Sequence, residues 1–288
     1  MENLNPNAPL RAPWRDTFES HLARMKTTEF SLATVYRDAN GKVYPRVRTC
    51  MFRSFWAELT LRDSAKAEMQ QHNQARAGRD NRKDREKGGE NPPVYESDML
   101  AFTTDVRMAK VDQILSENEG AGGEVEAMFW VKDAMTQWRL NGRAFIVGGD
   151  REDNVEKQHR EQIWKWMRPR STMNDTPPVP AETDKSWNWE NEITAHFANM
   201  SPVMRGTFKS PPPGIPRFAP HDSSLTFGQE VYDLHDPVAR SNFRVVVIQP
   251  WEVEYLDLQD RKRFKWALVP RDSKDKGKYY WRGEELWP

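Results

Sequence analysis

The sequence predicts a mainly β protein of the α+β class, an antiparallel barrel with flanking helices. About six or seven segments have the alternating, β-branched character of strands. Most of these segments are neighbours in the sequence and are joined by short turns, as in hairpins. The helical segments lie between and around the strand pairs. This arrangement favours an antiparallel barrel over a doubly wound parallel sheet.

The N-terminal part predicts a helix followed by a hairpin. Apolar residues recur at helical spacing behind Pro13, which indicates a helix over about 13–25. The stretch EFSLATVYRDANGKVYPRVRTCMFRSF is typical of two strands. We expect them to be joined at Asn40-Gly41, because this dipeptide tolerates a positive φ in a tight turn.

A strand and a helix follow, and then a second antiparallel pair. DMLAFTTD predicts the strand, and RMAKVDQILSEN predicts the helix. Four residues of this helix are expected to face inward: Met108, Val111, Ile114 and Leu115. EVEAMFWVK and TQWRLNGRAFIVGG predict the next two strands.

The C-terminal part is expected to complete the same barrel. Helices are predicted near 153–167 and 190–200, and the proline-rich stretch 210–220 predicts a loop. NFRVVVIQPWEVEYLDL and RKRFKWALVP predict the last strands. We therefore expect one domain over 1–288, which residues 241–288 complete.

Two polar segments are expected to be flexible insertions, near 64–96 and 168–189. Both mix charges with Pro, Gly and polar residues, and such segments bury too little apolar surface to offset the entropy of ordering. Basic residues within 76–90 leave a nucleic-acid patch as an alternative. Interleaved acidic residues favour a solvated insertion.

Composition excludes several classes of protein. The 43 basic and 43 acidic residues cancel, so no overall field attracts nucleic acid or anionic lipid. Cys50 is the single cysteine, which excludes an internal disulfide, and the histidines lack metal-ligand spacing, so no metal site is expected. No apolar run is long enough for a membrane span, and the N-terminus lacks an export signal. We expect a cytoplasmic protein.

The segment FTTDVRMAK predicts a site for a phosphate group. A strand ends at Thr103-Thr104, and Thr104 or Asp105 is expected to cap the following helix. Arg107 and Lys110 lie three residues apart in its first turns. Two hydroxyls, two cations and free helix amides together suit a phosphate. Ordinary capping with solvent-facing cations is the alternative.

The strand RVRTCMFR strengthens the phosphate hypothesis because it carries Arg46, Arg48 and Arg53. Arg48 and Arg53 are five residues apart, so they point to opposite faces of a regular strand. One guanidinium could reach the phosphate and the other a more distant part of the same ligand. A small phosphorylated ligand is a sufficient reason for these arginines.

The order of several motifs resembles a known family. These motifs are APW, FSLATV, RVRTCMFR, LAFTTDVRMAK, TQWRLNGRA, SPVMR and NFRVVVIQPWEVEYLDL. The chain is similar to the FMN-binding split-barrel proteins related to pyridoxamine 5'-phosphate oxidase, in particular to a divergent oxidase-like branch. The resemblance covers most of the chain outside the two insertions.

The resemblance implies FMN as cofactor and assigns residues to it. Arg48 is expected near the phosphate and Arg53 beside the flavin ring, with Thr49, Met51 and Phe52 lining the cofactor between them. The expected ribityl-phosphate clamp is Thr103, Thr104, Arg107 and Lys110. Four further positions match cofactor contacts of the family: Gln137 (from the partner subunit), Ser201, Arg205 and Arg263. The resemblance also implies a homodimer with flavin at the interface and a C-terminal part that contributes to dimerisation.

The substrate half departs from the family pattern. Gln259 and Arg261 stand where pyridoxamine-phosphate oxidases have an Arg-x-His pair, and Arg240 is nearest to the place of a missing tryptophan. Oxidation of pyridoxine 5'-phosphate is therefore in doubt, and no catalytic residue is assigned. The sequence predicts an FMN-dependent oxidoreductase acting on an unknown small molecule. The alternative is a non-catalytic flavin-binding or interaction protein that has lost substrate binding.

Overall fold

The computed structural model describes residues 9–77, 90–170, 187–271 and 278–288. These residues include seven α-helices: α1 (Arg15–Leu22), α2 (Asp63–Ala77), α3 (Ala109–Leu115), α4 (Asn154–Trp164), α5 (Trp189–Ala198), α6 (Pro202–Gly206) and α7 (Pro237–Asn242). They also include ten strands: β1 (Glu29–Arg37), β2 (Val43–Phe55), β3 (Tyr95–Glu96), β4 (Leu100–Asp105), β5 (Gly123–Val131), β6 (Thr136–Val147), β7 (Arg168–Pro169), β8 (Phe243–Asp257), β9 (Lys262–Pro270) and β10 (Tyr279–Leu286).

The main sheet is the antiparallel barrel that the sequence predicts. Its strand order is β10-β9-β8-β4-β2-β1-β5-β6, and β6 also pairs with β8, which closes six strands into a barrel. β9 and β10 extend the sheet beyond β8. Gly142 lies at a register shift between β6 and β8, where a Cβ atom would meet the carbonyl oxygen of Gln249 at 2.6 Å.

The strand β8 is buried on both faces, which explains its unbroken apolar run. Val246 and Ile248 belong to the inner core, which also contains Phe18 of α1. Val245 and Val247 belong to the outer core, where α4 and α5 pack against the barrel. Successive side chains of a strand point to opposite faces, so a strand between two cores needs apolar residues at every position.

Most predicted elements are confirmed. The helix α1, the β1–β2 and β5–β6 hairpins, α4, α5, β8 and β9 all lie where expected, and 210–220 contains no helix or strand. At the first hairpin Gly41 has φ +77°. Met108 was expected to face inward, but it is 38% exposed. The reason is that α3 begins at Ala109, so Met108 precedes the helix.

Sequence reasoning missed α2 and β10. α2 occupies the start of the stretch expected to be a flexible insertion, and Ala65 and Met69 anchor it in the outer core. The described residues do not include 78–89 of that stretch or 171–186 of the second expected insertion. None of the helices in the described ranges is long and apolar enough to cross a membrane.

Candidate cofactor-binding site

The barrel is split between β2 and β4. β1 pairs with β2 from Val43 to Met51, whereas β4 pairs with β2 only from Phe52 to Phe55. Beyond Phe102, β4 continues to pair with β8 alone. The β2 edge that faces the split therefore has backbone groups available to a ligand, as an unpaired strand edge does.

Arg48 lies at this split and is held by neutral acceptors. Its Nη1 donates to the Thr34 hydroxyl at 2.7 Å and to the Leu32 carbonyl at 3.1 Å, and its Nη2 donates to Gln113 Oε1 at 2.6 Å. No carboxylate among the described residues forms an ion pair with it. Burial lowers the pKa of Arg48, since desolvation penalises its charge. The guanidinium is oriented by the protein, but its charge is not compensated there.

Lys110 approaches the same place from α3. Its Nζ donates to the Thr104 hydroxyl at 3.1 Å, and it too has no ion-pair partner in the described part of the chain. Burial lowers the pKa of Lys110, and the Arg48 charge lowers it further. Burial raises the pKa of the Cys50 thiol. The positive charges of Lys110 and Arg48 both lower it in part. Arg48 also reaches α3, through Gln113, so both predicted cations lie beside this helix, and their binding of a phosphate stays a prediction.

Arg107 differs from the prediction. Asp105 does not cap α3: it accepts hydrogen bonds from the Arg107 amide at 2.8 Å and from Arg107 Nη2 at 2.6 Å. Thr104 does not cap it either, because the N-cap is Met108 without a side-chain hydrogen bond. Arg107 also donates to the carbonyl oxygens of Ser210 and Phe208. Its charge is therefore already compensated within the chain.

Arg53 lies at a β-bulge. The register of β2 against β4 shifts between Phe52 and Ser54, so Arg53 is the extra residue. Its Nε points to the Thr103 hydroxyl at 3.4 Å, on the outer side of β4, whereas Thr104 and Arg48 lie on the inner side. Burial lowers the pKa of Arg53, and the described residues offer it no carboxylate. The two arginines thus serve different faces of the strand, as predicted.

Three residues between Arg48 and Arg53 were also expected to line the cofactor. Thr49 and Met51 point to the outer surface of β2, and both are exposed. Phe52 packs in the inner core, 5.2 Å from the ring of Phe55. These three side chains therefore lie on the outer surface of β2 or against the inner core.

The remaining predicted residues contact other parts of the chain. Gln137 is on the outer face of β6, opposite Trp130. Ser201 caps α6 by accepting from the Met204 amide, and Arg205 is fully buried and pairs with Glu68 of α2. Arg263 pairs with Glu254 at 2.9 Å. Within one chain, none of these four completes the site.

The structure also describes the positions that depart from the family pattern. Gln259 and Arg261 lie in the exposed turn between β8 and β9, where Arg261 has φ +54°. Arg240 lies over the rings of Phe197 and Phe243, at 5.3 Å and 5.8 Å from their centroids. Burial lowers the pKa of Arg240. The arginine therefore takes part in the packing of the outer core.

Sequence reasoning missed the two residues that orient Arg48. Thr34 and Gln113 are buried and bond to each other at 2.6 Å. Both are polar residues at positions where the strand and helix patterns place apolar ones. This local break in pattern is the signal that could have identified them.

A groove with a volume of ≈ 990 Å³ adjoins the split. Asp105 and Met108 line it at the end of β4, and Val203 and Thr207 line it near α6. Most of its remaining wall is the stretch 210–217 and residues 225–229. Its size is that of pockets for small organic molecules.

The fold and this site define a split-barrel protein with a place for an anionic ligand. Residues 11–148 match the family model described as pyridoxamine 5'-phosphate oxidase, FMN-binding domain. The resemblance inferred from the motifs is confirmed over this part of the chain, which is similar to the FMN-binding domain of that family. FMN is the cofactor of the family, as the sequence predicts.

Two solved structures are similar to this chain. A pyridoxamine 5'-phosphate oxidase-related, FMN binding protein from Nostoc punctiforme is 20% identical, with a TM-score of 0.55, covering 96% of this chain and 99% of that one. PhzG from Burkholderia lata is 14% identical, with a TM-score of 0.43, covering 95% and 89%. The predicted fold class is confirmed by the first of these. A search of curated proteins found no significant match.

The residues at the split fit FMN. A phosphate dianion requires cations that are not neutralised by the protein, and Arg48 and Lys110 meet this requirement. The ring of the cofactor requires strand backbone and a nearby cation, which the β2 edge and Arg53 provide. Arg48 and Lys110 would therefore hold the phosphate, and Arg53 would lie toward the ring.

Proposed function

We propose that this protein is an FMN-dependent oxidoreductase that works as a homodimer on a small organic substrate. The observation that carries the proposal is the pair of partly buried cations, Arg48 and Lys110, at the open edge of β2. When bound, FMN supplies a ring that accepts a hydride. The chain orients the cofactor, and Arg53 favours its reduced form through positive charge.

The groove beside the split is the proposed place of the substrate. It begins at Asp105 and Met108, immediately beyond the strand that carries Thr103. The prolines of its wall lack a backbone N–H, so this wall offers few backbone donors. A substrate there would lie next to the proposed cofactor, on the side of α6.

The proposed dimer rests on the outer face of β1, β2, β5 and β6. Val47 is 71% exposed there, Met51 36% and Trp130 39%, and Gln137 lies on the same face. Exposed apolar patches of this kind mark interaction surfaces. A second copy covering this face would bring its Gln137 toward the split of the first.

The experiment removes both cations. Arg48→Ala with Lys110→Ala should weaken FMN binding by at least about 100-fold, because two charge-assisted contacts contribute roughly 1.5–3 kcal/mol each. Quenching of flavin fluorescence during titration measures the affinity. Arg46→Ala is the matched control, since this arginine of the same strand is exposed and lies over Tyr36 and Tyr44. Tight stoichiometric FMN in a folded double variant would refute the assignment.

The dimer has a separate test. Sedimentation equilibrium should give twice the chain mass of 33.7 kDa for the wild type. Val47→Asp should give a monomer, because it places a charge in the centre of the apolar face. A wild type that stays monomeric with FMN bound would exclude the dimer but not the cofactor.

A second candidate function is flavin binding without turnover. Gln259 and Arg261 favour it, because neither provides the Arg-x-His pair with which related oxidases hold their substrate. Anaerobic photoreduction followed by mixing with oxygen, with and without NADPH or candidate amines, separates the two. Reduction by a donor and reoxidation over many cycles supports the oxidoreductase, and flavin that no donor reduces supports the alternative.

A further inference from the structure

The helix α5 carries two ionisable residues into the outer core, one turn apart. Glu192 and His196 have side chains that are 5% and 0% exposed, and Glu192 Oε1 lies 3.7 Å from His196 Nε2. Trp56 stacks on the imidazole with the ring centroids 5.9 Å apart and the planes within 7°. Ionisable side chains are rarely buried among tryptophans without a charged or hydrogen-bonded partner.

The hydrogen bonds of this pair are incomplete. Glu192 Oε2 accepts from Asn91 Nδ2 at 3.0 Å, and the Ala57 amide also donates to the carboxylate. Glu192 Oε1 and both ring nitrogens of His196 have no hydrogen-bond partner in the described part of the chain. Oε1 and Nε2 thus face each other at 3.7 Å, just beyond hydrogen-bond distance, and a small side-chain rotation would let a single proton satisfy both atoms.

Two charged groups act on the pair from the elements packed against α5. The positive charge of Arg53 in β2 disfavours protonation of His196. The negative charge of Glu58, which follows β2, disfavours ionisation of Glu192. Burial raises the pKa of Glu192 to about 7, and burial lowers the pKa of His196 to about 3, with Arg53 lowering it further. Between these two pKa values the carboxyl group is therefore mostly protonated and the imidazole is mostly neutral.

We propose that Glu192 and His196 share one proton and act as a positioning pair for the charge of Arg53 at the ring side of the site. While Oε1–H donates to Nε2, the pair is neutral and Arg53 is an uncompensated cation. When this proton leaves to solvent, the pair carries one negative charge behind Arg53, and no other bond changes. The link to the flavin rests on the proposed function.

The first test needs no flavin. Infrared spectra of protein with carbon-13-labelled glutamate should show a protonated carboxyl band at about pH 6 that disappears by about pH 8. Glu192→Gln should lack the band and still accept from Asn91. Glu190→Gln, a substitution on the same helix at a partly exposed residue, should keep it. Absence of the band in wild type, or its persistence in Glu192→Gln, overturns the inference.

The second test uses the FMN-loaded protein. The midpoint potential of bound FMN should fall more steeply with pH in wild type than in Glu192→Gln near about pH 7, because a negative charge appears behind Arg53. His196→Phe, which keeps a ring stacked on Trp56, should also flatten the profile. Identical profiles in wild type and both variants overturn the role of the pair. Failure to bind FMN would contradict the proposed function, whereas the infrared result decides proton sharing independently.

Discussion

Arg15 and Arg48 are both guanidinium groups removed at least partly from water, but the chain surrounds them differently. Arg15 pairs with Glu19 at 2.9 Å, Glu58 at 3.1 Å and Asp98 at 3.2 Å, and it lies 3.0 Å from the ring centroid of Phe55. Arg48 has hydroxyl, amide and carbonyl acceptors only. Arg15 therefore stabilises the fold, whereas the charge of Arg48 is left uncompensated for the ligand that we propose.

Arg168 extends this contrast. It forms ion pairs with Glu96 and Asp98, each at 2.7 Å, and so ties the β3–β7 pair to Asp98, which Arg15 of α1 also contacts. Lys110 and Arg53 resemble Arg48, because each is buried in part and has only neutral polar contacts among the described residues. In the described part of the chain, three partly buried cations without carboxylates therefore lie at the split between β2 and β4, whereas Arg240, which also lacks a carboxylate, lies over two phenylalanine rings of the outer core.

The largest effect is predicted for a substitution that removes Arg15 from its carboxylate partners. Arg15→Met should lower the free energy of unfolding by about 3–5 kcal/mol, because it leaves Glu58 and Asp98 buried with less compensation. Arg48→Met should change it by less than about 1.5 kcal/mol, since no ionic partner is lost. Urea denaturation measures both. Equal losses would contradict the distinction between structural and ligand-binding cations.

A second prediction concerns the buried carboxyl of Glu192. Its pKa is raised from 4.5 to about 7, so the folded state binds more protons than the unfolded state between these values, and stability falls as pH rises through this window. Glu192→Gln should therefore gain roughly 3 kcal/mol relative to wild type between about pH 4 and pH 8. Denaturation at several pH values measures this. A constant difference across the range would contradict it.

A third prediction sharpens the comparison between the two unpaired arginines. Arg53→Met should weaken FMN binding by about 10-fold, because it removes one charge-assisted contact near the ring but leaves the phosphate contacts. Flavin titration measures the loss. Weakening as large as that in the Arg48 and Lys110 double variant would place the phosphate at Arg53 instead.

The smallest effect is expected at an exposed pair. Arg143 and Glu124 are 2.7 Å apart, but both side chains are 41% exposed. Arg143→Ala should change the free energy of unfolding by less than about 1 kcal/mol, since solvent screens such pairs. A larger loss in urea denaturation would show that the pair has a role beyond its own charge interaction.

Local patterns predicted most of the fold, because strands and hairpins can be recognised from periodicity over short stretches of sequence. The closure of the barrel through β6 and β8, and the split between β2 and β4, depend on pairings between distant segments that no local pattern encodes. β10 was missed for a similar reason: it alternates only weakly and adds to the sheet through β9.

The site was predicted in part. Arg48, Arg53 and Lys110 stood out in the sequence, because cations on a strand and at a helix start are unusual in the local pattern, and their role in binding a cofactor stays a prediction. The sequence could not show that Arg107 forms an ion pair with Asp105, or Arg205 with Glu68. Such ion pairs depend on three-dimensional packing. Thr34 and Gln113 were visible only as polar interruptions of apolar faces.

The most direct test of the central claim compares FMN with riboflavin, which lacks the phosphate. If Arg48 and Lys110 hold a phosphate dianion, calorimetric titration of the wild type should show FMN binding at least about 100-fold more tightly than riboflavin. The advantage should shrink as salt concentration rises, because the contacts are ionic. Equal affinities for the two flavins would contradict the account.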